Sequence, residues 1–412
     1  MRHCATAEQD SDQRKLLFQT IERFFYTNYN PNRALICLSV RTIFDLYFRV
    51  KHFESGSLVV LSAVNIPAMT EIVEKHGLVP VPWDVDPLTL APDVEQLRIL
   101  LRGSDKIVAI VLAHIFGKRC DVEPYLKVLQ SQNSRRKIDF IEDCAEIFNG
   151  FDYLGHPDSD LAMFSFGVIK FASCFGGAVA KVKSQFLYDK LAQLHNNYPI
   201  VPRTEYLAKL CKFQMLAFAL NYPNVTYYGS KVLKRFNIDY KAKASGMLQA
   251  FPTDMFRLIR RQPCSAMLNL MIRRFETIAD PQTFRMTKDK GDYVTKILLS
   301  SSNLIVPGYL CKFSNYWLYP VIVKCDPATF VRDLEVQGVD AYTNASRLSV
   351  AEPNADVCRI FPGLLVEKAR CLKHLVYLPV HKNVPYEYLD LICSAVLLCC
   401  AKNNMLSVKS RL

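Results

Sequence analysis

Residues 137–182 read KIDFIEDCAEIFNGFDYLGHPDSDLAMFSFGVIKFASCFGGAVAKV. Residues 138–142 form a short apolar run that ends in the acids Glu142 and Asp143. That pattern predicts a buried parallel strand whose C-terminal end carries chemistry. Lys170 follows 27 residues after Asp143, at the end of FSFGVIK, and the pair Gly176-Gly177 opens a second buried run over 178–182. An acid at a strand end and a lysine on a following turn are the two groups a pyridoxal phosphate site requires. The lysine binds the aldehyde as a Schiff base, and the acid keeps the pyridine nitrogen protonated so that the ring accepts electrons.

Three segments, IEDCAE (141–146), FSFGVIK (164–170) and GGAV (176–179), occur in order and within about 45 residues. Together they resemble the DegT-type aminotransferases, a fold-type I family that moves an amino group onto keto sugars. The resemblance implies an α/β fold with a mostly parallel central sheet, helices on both faces and a small C-terminal α+β domain. It implies pyridoxal 5'-phosphate as cofactor, an amino acid as donor and a carbonyl acceptor such as a nucleotide sugar. It assigns Lys170 as the Schiff-base lysine and proton carrier, Asp143 as the partner of the pyridinium, and Ser165 as a phosphate ligand. Glu146 stands where the family has a glutamine touching the ring hydroxyl.

Further matches depart from the family pattern. Ser39-Val40-Arg41 occupies the place of a Ser-Gly-Thr turn whose amides grip the cofactor phosphate at a helix N-terminus, with Arg41 supplying charge in place of the threonine hydroxyl. Ile66 replaces the aromatic residue that stacks on the ring. His114 follows the apolar run KIVAIVL and precedes Gly117, matching a histidine the family tends to carry there. A homodimer is implied by the family's shared active site, but the asparagine loop that reaches the partner's cofactor is not identifiable. Two alternatives stand beside the aminotransferase reading: elimination or dehydration on the same scaffold, and a binding protein that keeps the fold without turnover.

Working outward, strand and helix patterns alternate from residue 35 to residue 130, the signature of a parallel α/β layer. Predicted elements are helices over 13–27, 42–50, 67–76, 93–101 and 122–130, and strands over 35–38, 57–64 and 106–112. Pro80 and Pro82 mark 78–85 as an edge strand or connector. No GxGxxG follows a strand and no Walker-type loop occurs, so the fold is nucleotide-like without a nucleotide fingerprint. Helices are predicted over 186–196, 205–220, 254–261 and 265–275, the second strongly apolar. The expected organisation is an N-terminal arm (1–33), a large cofactor-binding domain (34–290) with a basic helical insertion near 186–285, and a small domain (291–412). The last holds helices over 293–299, 328–337 and 386–400, a strand over 317–323, and the segment 376–380, whose LPV resembles the family's leucine-proline pair.

Composition sets outer bounds. The 412 residues are 50% hydrophobic and 22% charged, ordinary for a globular chain. The 14 cysteines show no paired spacing, which favours buried thiols in a reducing, cytoplasmic setting over disulfides. Cys371 and His374 make at most half a metal site, so no metal is expected. No leader and no membrane-length apolar run is visible. Asn224 and Asn344 begin chance glycosylation patterns. The net charge of +12 is concentrated: residues 201–300 hold 17 basic against 7 acidic side chains. A face carrying Arg257, Arg260 and Arg261 suits a solvated helix, an anionic substrate or peripheral membrane contact; no nucleic-acid motif is present.

Overall fold

The structure, a computed structural model, describes residues 11–131, 137–220, 254–278, 282–343 and 346–409, with a few single residues between 222 and 235. Asn224, Asn344 and the lysines at 234, 241 and 243 lie outside the described residues. In chain order the main elements are α1 (Ser11–Phe24), β1 (Arg33–Cys37), α2 (Val40–Lys51), β2 (Leu58–Ser62), α3 (Pro67–Lys75) and β3 (Val79–Trp83). Next come α4 (Val94–Gly103), β4 (Ile107–Ala113), α5 (Glu123–Gln130), β5 (Asp139–Asp143) and β6 (Leu161–Ser165). They are followed by β7 (Ala178–Val182), α6 (Gln185–Asn196), α7 (Arg203–Leu220), α8 (Met255–Ile259) and α9 (Ser265–Ile278). The chain closes with α10 (Gln282–Leu298), β8 (Tyr319–Val323), α11 (Pro327–Val336), β9 (Leu375–Leu378) and α12 (Tyr386–Lys409).

The chain divides into two compact units, one of residues 1–50 and 165–279, the other of residues 51–164 and 280–412. In the second, β3-β2-β4-β5-β6 form a parallel sheet in that order. Continuous apolar runs such as Ile107–Ala113, buried at every residue, are what a strand covered on both faces requires. Leu58, Val60, Ile110, Leu112 and Phe140 form one core with Leu97, Leu100 and Tyr125 of α4 and α5. β3 is the edge strand the prolines demand: Pro80 and Pro82 pair with Val59 and Leu61 of β2, and no further strand needs their missing N–H groups. Also in this unit, β8 pairs antiparallel with Leu304–Ile305 and with β9. Val294, Phe330, Leu334, Leu389 and Val396 of α10, α11 and α12 pack with that smaller sheet. The α/β class and the mostly parallel central sheet thus follow the sequence reading.

In the first unit β1 runs antiparallel to β7, with Leu35 opposite Ala180. Phe24 and Phe25, from the end of α1, meet Phe275 of α9 edge to face at 5.8 and 5.5 Å. Lys181 is 1% exposed, its Nζ donating to the carbonyls of Phe25 and Asn30.

Several boundaries differ from the sequence reading, each for a physical reason. α10 begins eleven residues before the expected 293, because Phe284, Thr287 and Lys290 supply a buried side one turn at a time. α8 ends at Ile259, whose carbonyl accepts the Thr42 hydroxyl, so it never reaches Arg261. α9 runs on to Ile278, and Arg273 and Arg274 are therefore not in its last turn. The apolar α7 buries Tyr206, Leu210 and Phe213 but leaves Met215 and Phe218 more than half exposed.

Candidate functional site

The C-terminal ends of the parallel strands collect the residues singled out in the second unit, as sheet topology leads one to expect. Ile66 follows β2, His114 follows β4 and Asp143 closes β5. Consecutive strand residues face opposite sides, so Glu142 and Asp143 serve different surroundings. Asp143 is 7% exposed, and its Oδ1 accepts the Ala145 N–H at 3.0 Å, which fixes the carboxylate at the strand end.

Glu142 is fully buried. Its Oε1 accepts from the His156 N–H and the Ser159 hydroxyl, and its Oε2 from His114 Nε2 and the Tyr153 hydroxyl. Burial pushes this carboxyl up, but His114, Ser159 and Tyr153 outweigh it and hold the group at about 2. His114 has both ring nitrogens engaged, since Nδ1 meets the Cys120 N–H and thiol at 3.4 Å. Through Nε2 it supports the Glu142 carboxylate. The donor atoms of His114, Glu142 and Cys144 lie within 4.8 Å of one another. Each Glu142 oxygen already accepts two hydrogen bonds, so Glu142 and His114 are committed to a hydrogen-bonded core, and burial pushes the neighbouring Cys144 thiol well up.

Glu146 is 7% exposed and accepts the Phe116 N–H at 2.8 Å. The bend that presents this N–H has Phe116 and Gly117 at positive φ. A Cβ on Gly117 would stand 1.9 Å from Asn315 Oδ1, so glycine is obligatory there. Ile66 is half-buried as the N-cap of α3, and its N–H is held by Asn65 Oδ1 at 2.8 Å. The Asn65 Nδ2 beside it is buried with no hydrogen-bond partner.

The remaining residues belong to the first unit. Ser39 caps α2, its Oγ accepting the Thr42 N–H at 3.2 Å and lying 3.0 Å from Thr42 Oγ1. Val40 is buried and Arg41 half-buried in the first turn. Thr42, which the sequence reading passed over, is fully buried and fixes this turn through Ile259. A hydroxyl just after a Ser-led turn was the signal available. Ser165 ends β6, where this unit resumes, and its Oγ accepts the Gly167 N–H at 3.4 Å. The Lys170 N–H closes a turn on the Gly167 carbonyl at 3.1 Å. A Cβ on Gly167 would make ordinary contact with Ser165 Oγ at 3.6 Å and Lys170 Cγ at 3.9 Å, so both side chains approach the same glycine. Backbone bonds tie this turn to the loop before Ser39: Phe166 N–H donates to the Gly177 carbonyl, and Gly177 N–H donates to Leu38. Ser39, Val40, Arg41, Ser165 and Lys170 are thereby assembled on one framework.

The arginine face behaves otherwise than a free anion site. Arg260 grips Asp45, whose side chain is fully buried, with two bonds of 2.9 Å, and Arg261 grips Glu205 with bonds of 2.7 and 2.9 Å. Only Arg257 of the three is exposed.

Residues 32–210 match the DegT/DnrJ/EryC1/StrS aminotransferase family. Over 148 residues the chain is 30% identical to a GDP-perosamine synthase of Caulobacter vibrioides, a stretch covering 35% of this chain and 38% of that protein. The match thus spans little more than a third of the curated relative. Among solved structures, the sugar aminotransferase CalS13 from Micromonospora echinospora superposes with a TM-score of 0.66 at 15% identity, over 95% of this chain and 93% of that one. A GDP-4-keto-6-deoxymannose-3-dehydratase (ColD) gives 0.63 at 14% identity, over 93% and 92%. These likenesses establish the fold across nearly the whole chain.

Proposed function

We propose that this chain, whose residues 32–210 match the DegT/DnrJ/EryC1/StrS aminotransferase family, is a pyridoxal phosphate-dependent aminotransferase acting on a keto sugar. The observation that carries the reading is the turn of the first unit in which Ser165 Oγ and the Lys170 stem both approach Gly167. The donor set fits the cofactor's chemistry: a hydroxyl and a capped helix start for a phosphate, a lysine amine for an aldehyde, and a buried carboxylate for a pyridinium N–H. A relative named GDP-perosamine synthase supports a nucleotide-linked sugar as acceptor, with an amino acid as donor. Domains of 34–290 and 291–412 behind an arm of 1–33 suit this reading, as do a homodimer and a cytoplasmic location. Every cysteine among the described residues is free, which supports a reducing compartment. Among them no helix is long and apolar enough to cross a membrane.

The cofactor, when bound, supplies the electron sink that makes amino-group transfer feasible. Lys170 would anchor it through Nζ and carry the proton at that atom once released, on a turn whose backbone is closed by Gly167. Asp143 would hold the proton on the ring nitrogen, its carboxylate oriented by the Ala145 amide. Glu146, fixed by the Phe116 amide, would accept from the ring hydroxyl. Ser39, the Val40 and Arg41 amides and Ser165 would bind phosphate, Arg41 adding charge, and Ile66 would cover a ring face without aromatic contact.

Borohydride reduction of the protein with pyridoxal phosphate, followed by peptide mapping, tests the assignment. The expected label is on the peptide containing Lys170, and Lys170→Ala should bind the cofactor reversibly without transferring amino groups. Labelling of another lysine, or of none, would move the chain to the reading of a binding protein. A sugar product that has lost water without gaining nitrogen would move it to dehydration.

A further inference from the structure

The second unit contains a cleft of about 280 Å³ that the proposed reaction does not use. It is built where Lys118–Arg119 pairs antiparallel with Phe313–Ser314 and α10 lines the side. Four lysines line it, Lys118, Lys288, Lys296 and Lys312, with the single carboxylate Asp292. That carboxylate is already engaged: Lys288 Nζ bonds to one oxygen, and the Tyr316 hydroxyl donates to the other at 2.7 Å. Lys118, Lys296 and Lys312 have no carboxylate within ion-pair distance among the described residues.

Lys118 separates this cleft from an ordinary basic surface. Its side chain is 2% exposed, and its ammonium stands over the Tyr316 ring, 4.4 Å from the centroid. Burial lowers its pKa to about 8, so the protein bears a cost for holding a cation there. A buried ammonium without a carboxylate is costly unless an anion completes it. The Tyr316 ring supplies part of the compensation. Ser314 and Tyr309 at the cleft wall add hydroxyls suited to oxyanion oxygens.

We propose that this cleft binds a multiply charged phosphate-bearing anion, held by Lys118, Lys296 and Lys312. The volume admits one or two phosphoryl groups, and three unmatched ammonium groups suit a ligand with at least two negative charges. The site goes beyond the amino-transfer reading and does not depend on it.

The test is calorimetric titration of the full chain, saturated with pyridoxal phosphate, with inorganic pyrophosphate and separately with inorganic phosphate at low salt. Saturation removes competition at the proposed cofactor site. Pyrophosphate is expected to bind more tightly than phosphate, and binding should weaken steeply with added salt. Lys296→Gln with Lys312→Gln, both exposed and free of structural bonds, should lower pyrophosphate affinity by about tenfold or more. Lys118→Met should do the same, and its thermal unfolding curve shows whether it folds; the surface double variant decides the matter if it does not. Pyrophosphate binding unaltered in the surface double variant, or none in the parent chain, would overturn the proposal.

Discussion

Replacing Glu142 with glutamine tests whether the buried carboxylate organises the end of β5. The side chain accepts four hydrogen bonds, two on each oxygen, from His114, Tyr153, Ser159 and the His156 N–H. An amide keeps one accepting oxygen and turns the other into a donor, so two charge-assisted bonds are lost. The His156 N–H cannot reverse, which assigns the amide oxygen to the His156 and Ser159 side. The new NH₂ then faces His114 Nε2 and Tyr153. Tyr153 can rotate to accept, but a shift of the His114 tautomer would set an N–H at Nδ1 against the Cys120 N–H, 3.4 Å away. With roughly 1.5–3 kcal/mol for each charge-assisted bond and partial recovery at Tyr153, the loss should be about 3 kcal/mol. The acid limb offers an independent measure. The folded carboxyl sits at about 2 against an ordinary 4.5, so its stabilisation is complete above pH 4.5 and is lost as pH falls toward 2. The displacement corresponds to about 3 kcal/mol. Urea unfolding at neutral pH, repeated down the acid limb, reads both quantities. Glu142→Gln should be less stable at neutral pH and should lack that part of the acid-induced loss. A variant within about 0.5 kcal/mol of the parent at neutral pH, or an acid limb identical to the parent's, would refute the reasoning.

Arg260→Gln strands the fully buried Asp45 carboxylate and should cost roughly 2–4 kcal/mol in urea unfolding, with Asp45→Asn in the same background recovering part of the loss. Lys181, with its pKa lowered by burial to about 8, gives a pH dependence of the same sign as Glu142 but at the alkaline end: between about 8 and 10.5 the unfolded chain binds more protons, so stability rises with pH there, and Lys181→Met should abolish that rise. Arg41→Ala should weaken pyridoxal phosphate binding by about one to two decades in equilibrium titration; parent-like affinity would return Arg41 to a structural role in the first turn of α2.

The parallel strands were legible because a fully buried strand must be apolar at consecutive positions, and KIVAIVL and the run before Glu142 are. Their ends were legible too, since the glycines and acids that break each run stand where Asp143, His114 and Lys170 are found. What escaped reading was pairing at long range. Asp45 and Arg260 are 215 residues apart, and nothing in the local pattern of either marks the other. The sequence therefore kept an anion site among the readings of the arginine face, although two of its three members neutralise acids of their own chain. Lys181 escaped for a related reason. Its two carbonyl partners lie in the turn after α1, about 150 residues away, so the strand GGAVAKV carries a lysine without a visible cause.

Glu142 shows how far a single rule of geometry carries. Two acids in a row at the end of a buried strand cannot share one environment, because adjacent side chains point to opposite faces. One must therefore be satisfied inside the protein and the other left at the strand end. Glu142 has four donors and full burial; Asp143 has its amide-held oxygen and a place at the sheet's carboxyl edge. His114 goes with Glu142, since its Nε2 completes that network, and this gives a reason for a histidine to follow β4. The positions of Asp143 and Lys170 follow from the sequence run alone, whereas the division of labour between Glu142 and His114 on one side and Asp143 on the other requires the fold.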